Sequence, residues 1–130
     1  MEIERNQLLT VLSESLDCVE KEVFGITDHH AKRVAWLCIQ MGKKAGMDEK
    51  DISDMAVAAL LHDNALNEFR EDYENRKPRP GVSGKNHCMA GERNLHCIPG
   101  CEDMRDFVLY HHECANGSGP FGITEDETPL

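Results

Sequence analysis

The sequence predicts an all-α fold, a bundle of about five helices, and three observations carry that prediction. Apolar residues recur at spacings of three and four, which makes one face of a helix. Glycine, Asn-Gly and Pro-Gly punctuation cuts the chain into segments of helical length. No stretch alternates apolar and polar residues convincingly enough for a strand. At 130 residues the chain is expected to form one domain spanning residues 1–130. A chain of that length can bury roughly two-thirds of its unfolded surface without disulfide staples.

The first helix is predicted over 4–23, where Leu8, Leu12, Leu16, Val19 and Val23 form the stripe and Gly25 breaks it. Thr27 or Asp28 can cap a second helix, with Val34, Leu37, Cys38 and Met41 as its apolar face. Lys43 and Lys44 suit the negative end of that helix dipole, and Gly46 suits the residue just past its end. Asp48, with Asp51 three residues on, opens a third helix with Ile52, Met55, Ala56, Ala59 and Leu60 inward. Residues 67–86 are polar, hold Pro78, Pro80, Gly81 and Gly84, and read as a long irregular segment of the kind that often carries function. A fourth helix is expected over 87–96. A fifth is expected over 101–113, with Met104, Phe107 and Val108 inward and Asn116-Gly117 as its stop.

The formal net charge is −10, from 14 basic and 24 acidic residues, which argues against a general DNA or RNA binder. The longest apolar run, Met55 to Leu61, is seven residues, far short of the about 20 that a membrane span needs. The opening MEIERNQLLT has neither the basic start nor the apolar stretch of a signal peptide, so a cytoplasmic location and six reduced cysteines are expected. Aromatic residues make up 5%, so the core must be mainly aliphatic, Met and Cys.

The histidines fall where the predicted helices turn inward. His30 is four before Val34; His62 is seven after Met55; Asp63 is four after Ala59. His87 is four before Gly91, where a missing side chain lets another group approach, and His111 and His112 follow Val108 by three and four. Four separate stretches thus aim imidazole or carboxylate at one interior. These are ligands of zinc, manganese and iron, and bundle cores are a usual place to assemble them. His29 shares a polar face with Arg33 and Gln40 and reads as exposed, and His96 has no evident partner.

In order, His30-Ala31-Lys32-Arg33-Val34, then Leu60-Leu61-His62-Asp63, then His87 to Gly91, then His111-His112-Glu113 followed by Asn116-Gly117-Ser118-Gly119-Pro120-Phe121-Gly122, resemble the HD superfamily of metal-dependent phosphohydrolases, and within it the HD-GYP branch. The resemblance covers about residues 27–130. It implies an HD-domain helical bundle in which His30, His62, Asp63, His87, His111 and His112 are metal ligands and Asp63 bridges two ions. The implied cofactors are two divalent ions, with Fe, Mn, Zn and Ni not distinguished. The implied activity is cyclic di-GMP-type phosphodiesterase chemistry centred on His62 and Asp63, with a hydroxide held between the ions attacking phosphorus in line. The partner is then a small nucleotide rather than DNA, RNA or a membrane.

The chain also departs from the family pattern. Leu66 stands where members often place a lysine, Ile26 stands where three-metal members place a glutamate, and the GYP tyrosine is missing from Gly119-Pro120-Phe121-Gly122-Ile123. The sequence stops before the helix that carries a further aspartate ligand in the family, which leads to the expectation of an exposed apolar surface and a homo-oligomer. These departures support an alternative: a catalytically inert HD-type module that binds a nucleotide or a partner protein in signalling. Arg76, Lys77, Arg79 and Lys85 form a basic cluster before His87, either a solvated loop or a contact for substrate phosphates. Cys97 and Cys101 are four apart, as in a structural zinc site, but Cys88, Cys97, Cys101 and Cys114 match no strong zinc spacing and are expected to be small core residues. Glu113 is either an orienting partner of a ligand histidine or an ordinary side chain at a helix end.

Overall fold

A computed structural model describes residues 4–69 and 85–127. Its elements are α1 (Arg5–Phe24), α2 (His30–Ala45), α3 (Glu49–Leu60), a 3-10 turn (Leu66–Phe69), α4 (Lys85–Leu95) and a second 3-10 turn (Glu125–Glu127). The fold is all-α, as expected. Among the described residues the sole β pairing is an isolated bridge between Asn116 and Thr124.

The helix ends follow local chemistry. Gly25 and Gly46 close α1 and α2 in the left-handed conformation, at φ 66° and 76°. Asp48 caps α3 by accepting from the Asp51 backbone N–H, and Glu49 and Asp51 add negative charge to the first turn. The start of α2 differs from expectation. Thr27 Oγ1 accepts from the Arg33 guanidinium, and the Asp28 carboxylate pairs with Lys21 at 2.9 Å. With both engaged elsewhere, His29 takes the cap position at φ 57°.

The buried face of α2 is a second correction. Leu37 and Met41 were expected inside, yet they are 52% and 69% exposed; the helix instead turns Ala31, Ala35 and Gly42 inward. Small residues let α2 lie close against α3: a Cβ on Gly42 would stand 2.9 Å from Ile52 Cγ1.

The core gathers Leu9 of α1, Val57, Ala58 and Leu61 at the end of α3, Leu95 of α4, and Cys101, Met104 and Val108. Fully burying a side chain such as Leu61 or Leu95 contributes about 1.5–3 kcal/mol. Met104 and Val108 are therefore inward as expected, but not on a helix. The fifth helix expected over 101–113 does not form; the segment is a succession of turns. The buried Glu92 of α4 explains why. Its two carboxylate oxygens accept the backbone N–H groups of Asp106, at 2.6 Å, and Leu109, at 3.0 Å. Asp106 sits at φ 71°, which no right-handed helix can pass through. The tertiary contact overrides a helical pattern that was correct in its periodicity and wrong in its geometry.

Candidate metal centre

The six residues singled out in the sequence come together. Ring centroids connect the five histidines in a continuous chain: His30 to His62 at 5.3 Å, His62 to His111 at 5.2 Å, His111 to His87 at 5.3 Å, and His87 to His112 at 5.0 Å. Two donor groups result. One is His30, His62 and Asp63; the other is His87, Cys88, His111 and His112; within each, the donor atoms all lie within 4.8 Å of one another.

Asp63 stands between them. Its Oδ2 is 3.1 Å from His62 Nε2, while its Oδ1 is 3.6 Å from both His87 Nε2 and His111 Nε2. Burial alone would raise the Asp63 carboxyl, but hydrogen bonds from His111 and His62 hold it well below the ordinary carboxylate range. It is an anion surrounded by imidazoles.

Backbone carbonyls orient two of the rings. His62 Nδ1 lies 2.8 Å from the Ala59 carbonyl, and His111 Nδ1 lies 2.6 Å from the Val108 carbonyl. A carbonyl only accepts, so each Nδ1 carries a hydrogen and each Nε2 faces Asp63, donating to it when the ring is protonated and offering a lone pair for ligation when it is neutral. Both contacts span three residues, so short local turns aim the rings. Burial lowers the His30 and His112 imidazoles, His112 to about 4, with neighbouring histidines as the next cause. Both are thus neutral near pH 7, the form that ligates. For His62 burial acts downward, but its hydrogen bond and charge attraction to Asp63 outweigh it and leave the group raised.

This donor set fits divalent cations. Imidazole nitrogens and a shared carboxylate suit zinc, manganese, iron and nickel alike, and a buried carboxylate is costly without a cation to compensate it. A cavity of about 640 Å³ elsewhere, among residues such as Leu9, Lys32, Ile39 and Val57, is lined by none of these histidines.

The glycine reading at His87 holds. A Cβ on Gly91 would meet Val108 Cγ1 at 2.9 Å and Asn64 Nδ2 at 3.3 Å, so α4 and the 101–117 segment can close only over a missing side chain. Asn64, directly after Asp63, donates to the carbonyls of Leu61 at 2.8 Å and Gly91 at 3.0 Å, fastening the end of α3 to α4. His29 is exposed as expected and pairs with Asp17 at 3.3 Å. His96 has partners that the sequence did not reveal: the Met104 carbonyl at 2.5 Å and Glu92 at 3.4 Å.

Three further residues take roles that the sequence did not assign them. Cys88 is fully buried, with Sγ 3.7 Å from both His87 Nε2 and His111 Nδ1; burial, followed by the charge of Asp63, pushes its thiol up to about 12. Its position next to His87 was the available signal. The other late cysteines are unrelated to the centre: Cys101 is in the core, and Cys97 and Cys114 are exposed. Glu113 takes neither role considered for it. Its carboxylate accepts the backbone N–H groups of Phe121, at 2.5 Å, and Ile123, at 3.0 Å, and so folds the glycine-rich segment back over the chain. Glu20 of α1 is 3% exposed and is raised to about 7 by burial and by the charge of Asp63. Of the basic cluster, Arg76, Lys77 and Arg79 lie outside the described residues. Lys85 opens α4 with its Nζ 4.8 Å from the centre of the Phe121 ring.

Among the described residues no helix is long and apolar enough to cross a membrane. The chain is 29% identical to a cyclic di-GMP phosphodiesterase of Thermotoga maritima over 134 aligned positions, covering 95% of this chain and 34% of that protein. It therefore spans about a third of the length of the curated relative it matches. No solved structure matches it. The ordered histidines and the His62-Asp63 pair lie within residues 27–129, which match the HD domain, and the chain belongs to that family.

Proposed function

We propose that this chain is a metal-dependent phosphohydrolase domain of the HD-GYP type, acting on a cyclic dinucleotide of the cyclic di-GMP kind. The observation that carries the reading is the position of Asp63, with one oxygen toward His62 and the other toward His87 and His111. Support for the substrate class comes from the Thermotoga maritima relative, and support for the branch from His111-His112-Glu113 and the glycine-rich segment after it.

In this reading His30, His62 and Asp63 hold one divalent ion, and Asp63, His87, His111 and His112 hold a second. Bound ions supply Lewis-acid charge and an activated water for attack on phosphorus. The protein's own part is positional. The Ala59 and Val108 carbonyls keep His62 and His111 in the ligating tautomer, and Asp63 fixes the separation of the two sites. Lys85, two residues before His87, offers a cation for a substrate phosphate, and Arg76, Lys77 and Arg79 extend that role along the chain.

A second reading follows from Leu66. An uncharged side chain in the 3-10 turn after His62-Asp63 leaves no lysine at that position, which favours a module that binds its nucleotide without turnover. A phosphodiesterase assay with added Mn²⁺ or Fe²⁺ and a panel of cyclic dinucleotides separates the two. Metal-dependent hydrolysis that His62→Ala abolishes supports the enzyme. Stoichiometric metal with no turnover of any member of the panel supports the inert module.

A further inference from the structure

α1 precedes the residues matched to the HD domain, yet it carries a buried carboxylate, Glu20, one turn on from its contact with the start of α2. Asp17 Oδ2 reaches His29 Nδ1 at 3.3 Å and Lys32 Nζ at 3.2 Å, which lays this part of α1 against the first turn of α2. Glu20 follows three residues later on the same face and is 3% exposed. Its Oε2 is shut off from solvent and has no hydrogen-bond partner among the described residues. The charges that act on it most strongly are those of Asp63 and then His62.

A buried carboxylate is stable only when hydrogen-bonded, protonated or compensated by a cation. The nearby lysines are engaged elsewhere: Lys21 with Asp28 at 2.9 Å, Lys32 with Asp17 at 3.2 Å. Asp17 also has one oxygen without a partner, but its other oxygen binds His29 and Lys32, which explains its place. Glu20 has no such explanation.

We propose that Glu20 is a metal-binding carboxylate, the fourth donor to a divalent cation held by His30, His62 and Asp63. Three protein donors leave an ion of this class short of four-coordination, and Glu20 supplies a hard oxygen from a helix outside the family's matched span. It stands outside the 4.8 Å donor group, so binding requires the side chain to change rotamer, a short-range adjustment for a side chain with three rotatable bonds. The inference rests on the reading that the centre binds metal.

Calorimetric titration of the metal-stripped protein with Mn²⁺ tests it, comparing wild type with Glu20→Gln and Glu20→Asp. The expected result is that Glu20→Gln weakens one site by at least about tenfold and leaves the other within about twofold. Glu20→Asp, which keeps the charge, binds more tightly than Glu20→Gln. The thermal midpoint of metal-free Glu20→Gln equals or exceeds that of wild type, because an uncompensated charge has been removed, while the rise on adding metal shrinks. Unchanged Mn²⁺ affinities overturn the inference, as does a lower metal-free midpoint with affinities intact, the mark of a structural carboxylate. A wild-type protein that binds no Mn²⁺ overturns the metal centre itself, so the two failures are distinguishable.

Discussion

The two halves of the centre are built in different ways. His30, His62 and Asp63 stand at the start of α2 and just past the end of α3, two helices that come close at Gly42. His111 and His112 stand on turns rather than in a helix; Glu92 of α4 takes up backbone N–H groups of that segment, and Glu113 takes up those of Phe121 and Ile123 beyond it. The first half relies on side-chain packing that tolerates small adjustments. The second relies on a few buried polar contacts, where losing one partner leaves a backbone donor unsatisfied.

The largest effect is expected where the halves meet. Asp63→Ala removes a carboxylate with an oxygen toward each donor group, so elemental analysis should find both metals lost. The loss of affinity should exceed about 100-fold, the upper end for a partner that only orients a ligand. Retention of either ion at wild-type affinity would show that the halves work independently.

Next is Glu92→Ala, which leaves the Asp106 and Leu109 N–H groups without their acceptor. A destabilisation of about 3 kcal/mol is expected in urea unfolding, since hydrogen bonds to a charged acceptor contribute about 1.5–3 kcal/mol each. Chemical shifts of His111 and His112 should move more than those of His30. Equal movement in both halves would erase the distinction between them.

The smallest effects come from a pair of glycines. A Cβ on Gly119 would stand 2.6 Å from Glu113 Cα, a backbone atom, whereas the nearest atoms to a Cβ on Gly42 belong to side chains: Ile52 Cγ1 at 2.9 Å, Met55 Cε at 3.1 Å and Met47 Sδ at 3.4 Å. Gly119→Ala should therefore cost about 1–3 kcal/mol. Gly42→Ala should be close to neutral, because about 1 kcal/mol of helix propensity offsets the repacking. Thermal melts of the two variants check the order, and a reversal would show that the turn segment adapts more readily than the helices.

Taken alone, the sequence determined the ends of α1 and α2, the start of α3 and which histidines gather in the centre. These depend on local chemistry: Gly25 and Gly46 end helices because they accept positive φ, Asp48 starts one because its carboxylate reaches Asp51, and His62-Asp63 follows the last apolar turn of α3. Gly91 was legible for the same reason, as a gap one helical turn from His87. Only the tertiary structure decided which face of α2 is buried, since Leu37 and Ala35 compete for the interior and the close approach of α3 selects the smaller residue. It also decided that 101–113 is a run of turns, because Glu92, fourteen residues before Asp106, outbids the local helical preference. Cys88 and Glu20 belong to the same class. Cys88 is marked only by its neighbour His87, and Glu20 by nothing beside it; the surroundings of both come from residues far along the chain, His111 for one and Asp63 for the other. Periodicity and capping record what a segment does with itself; burial and charge compensation are set by what folds against it.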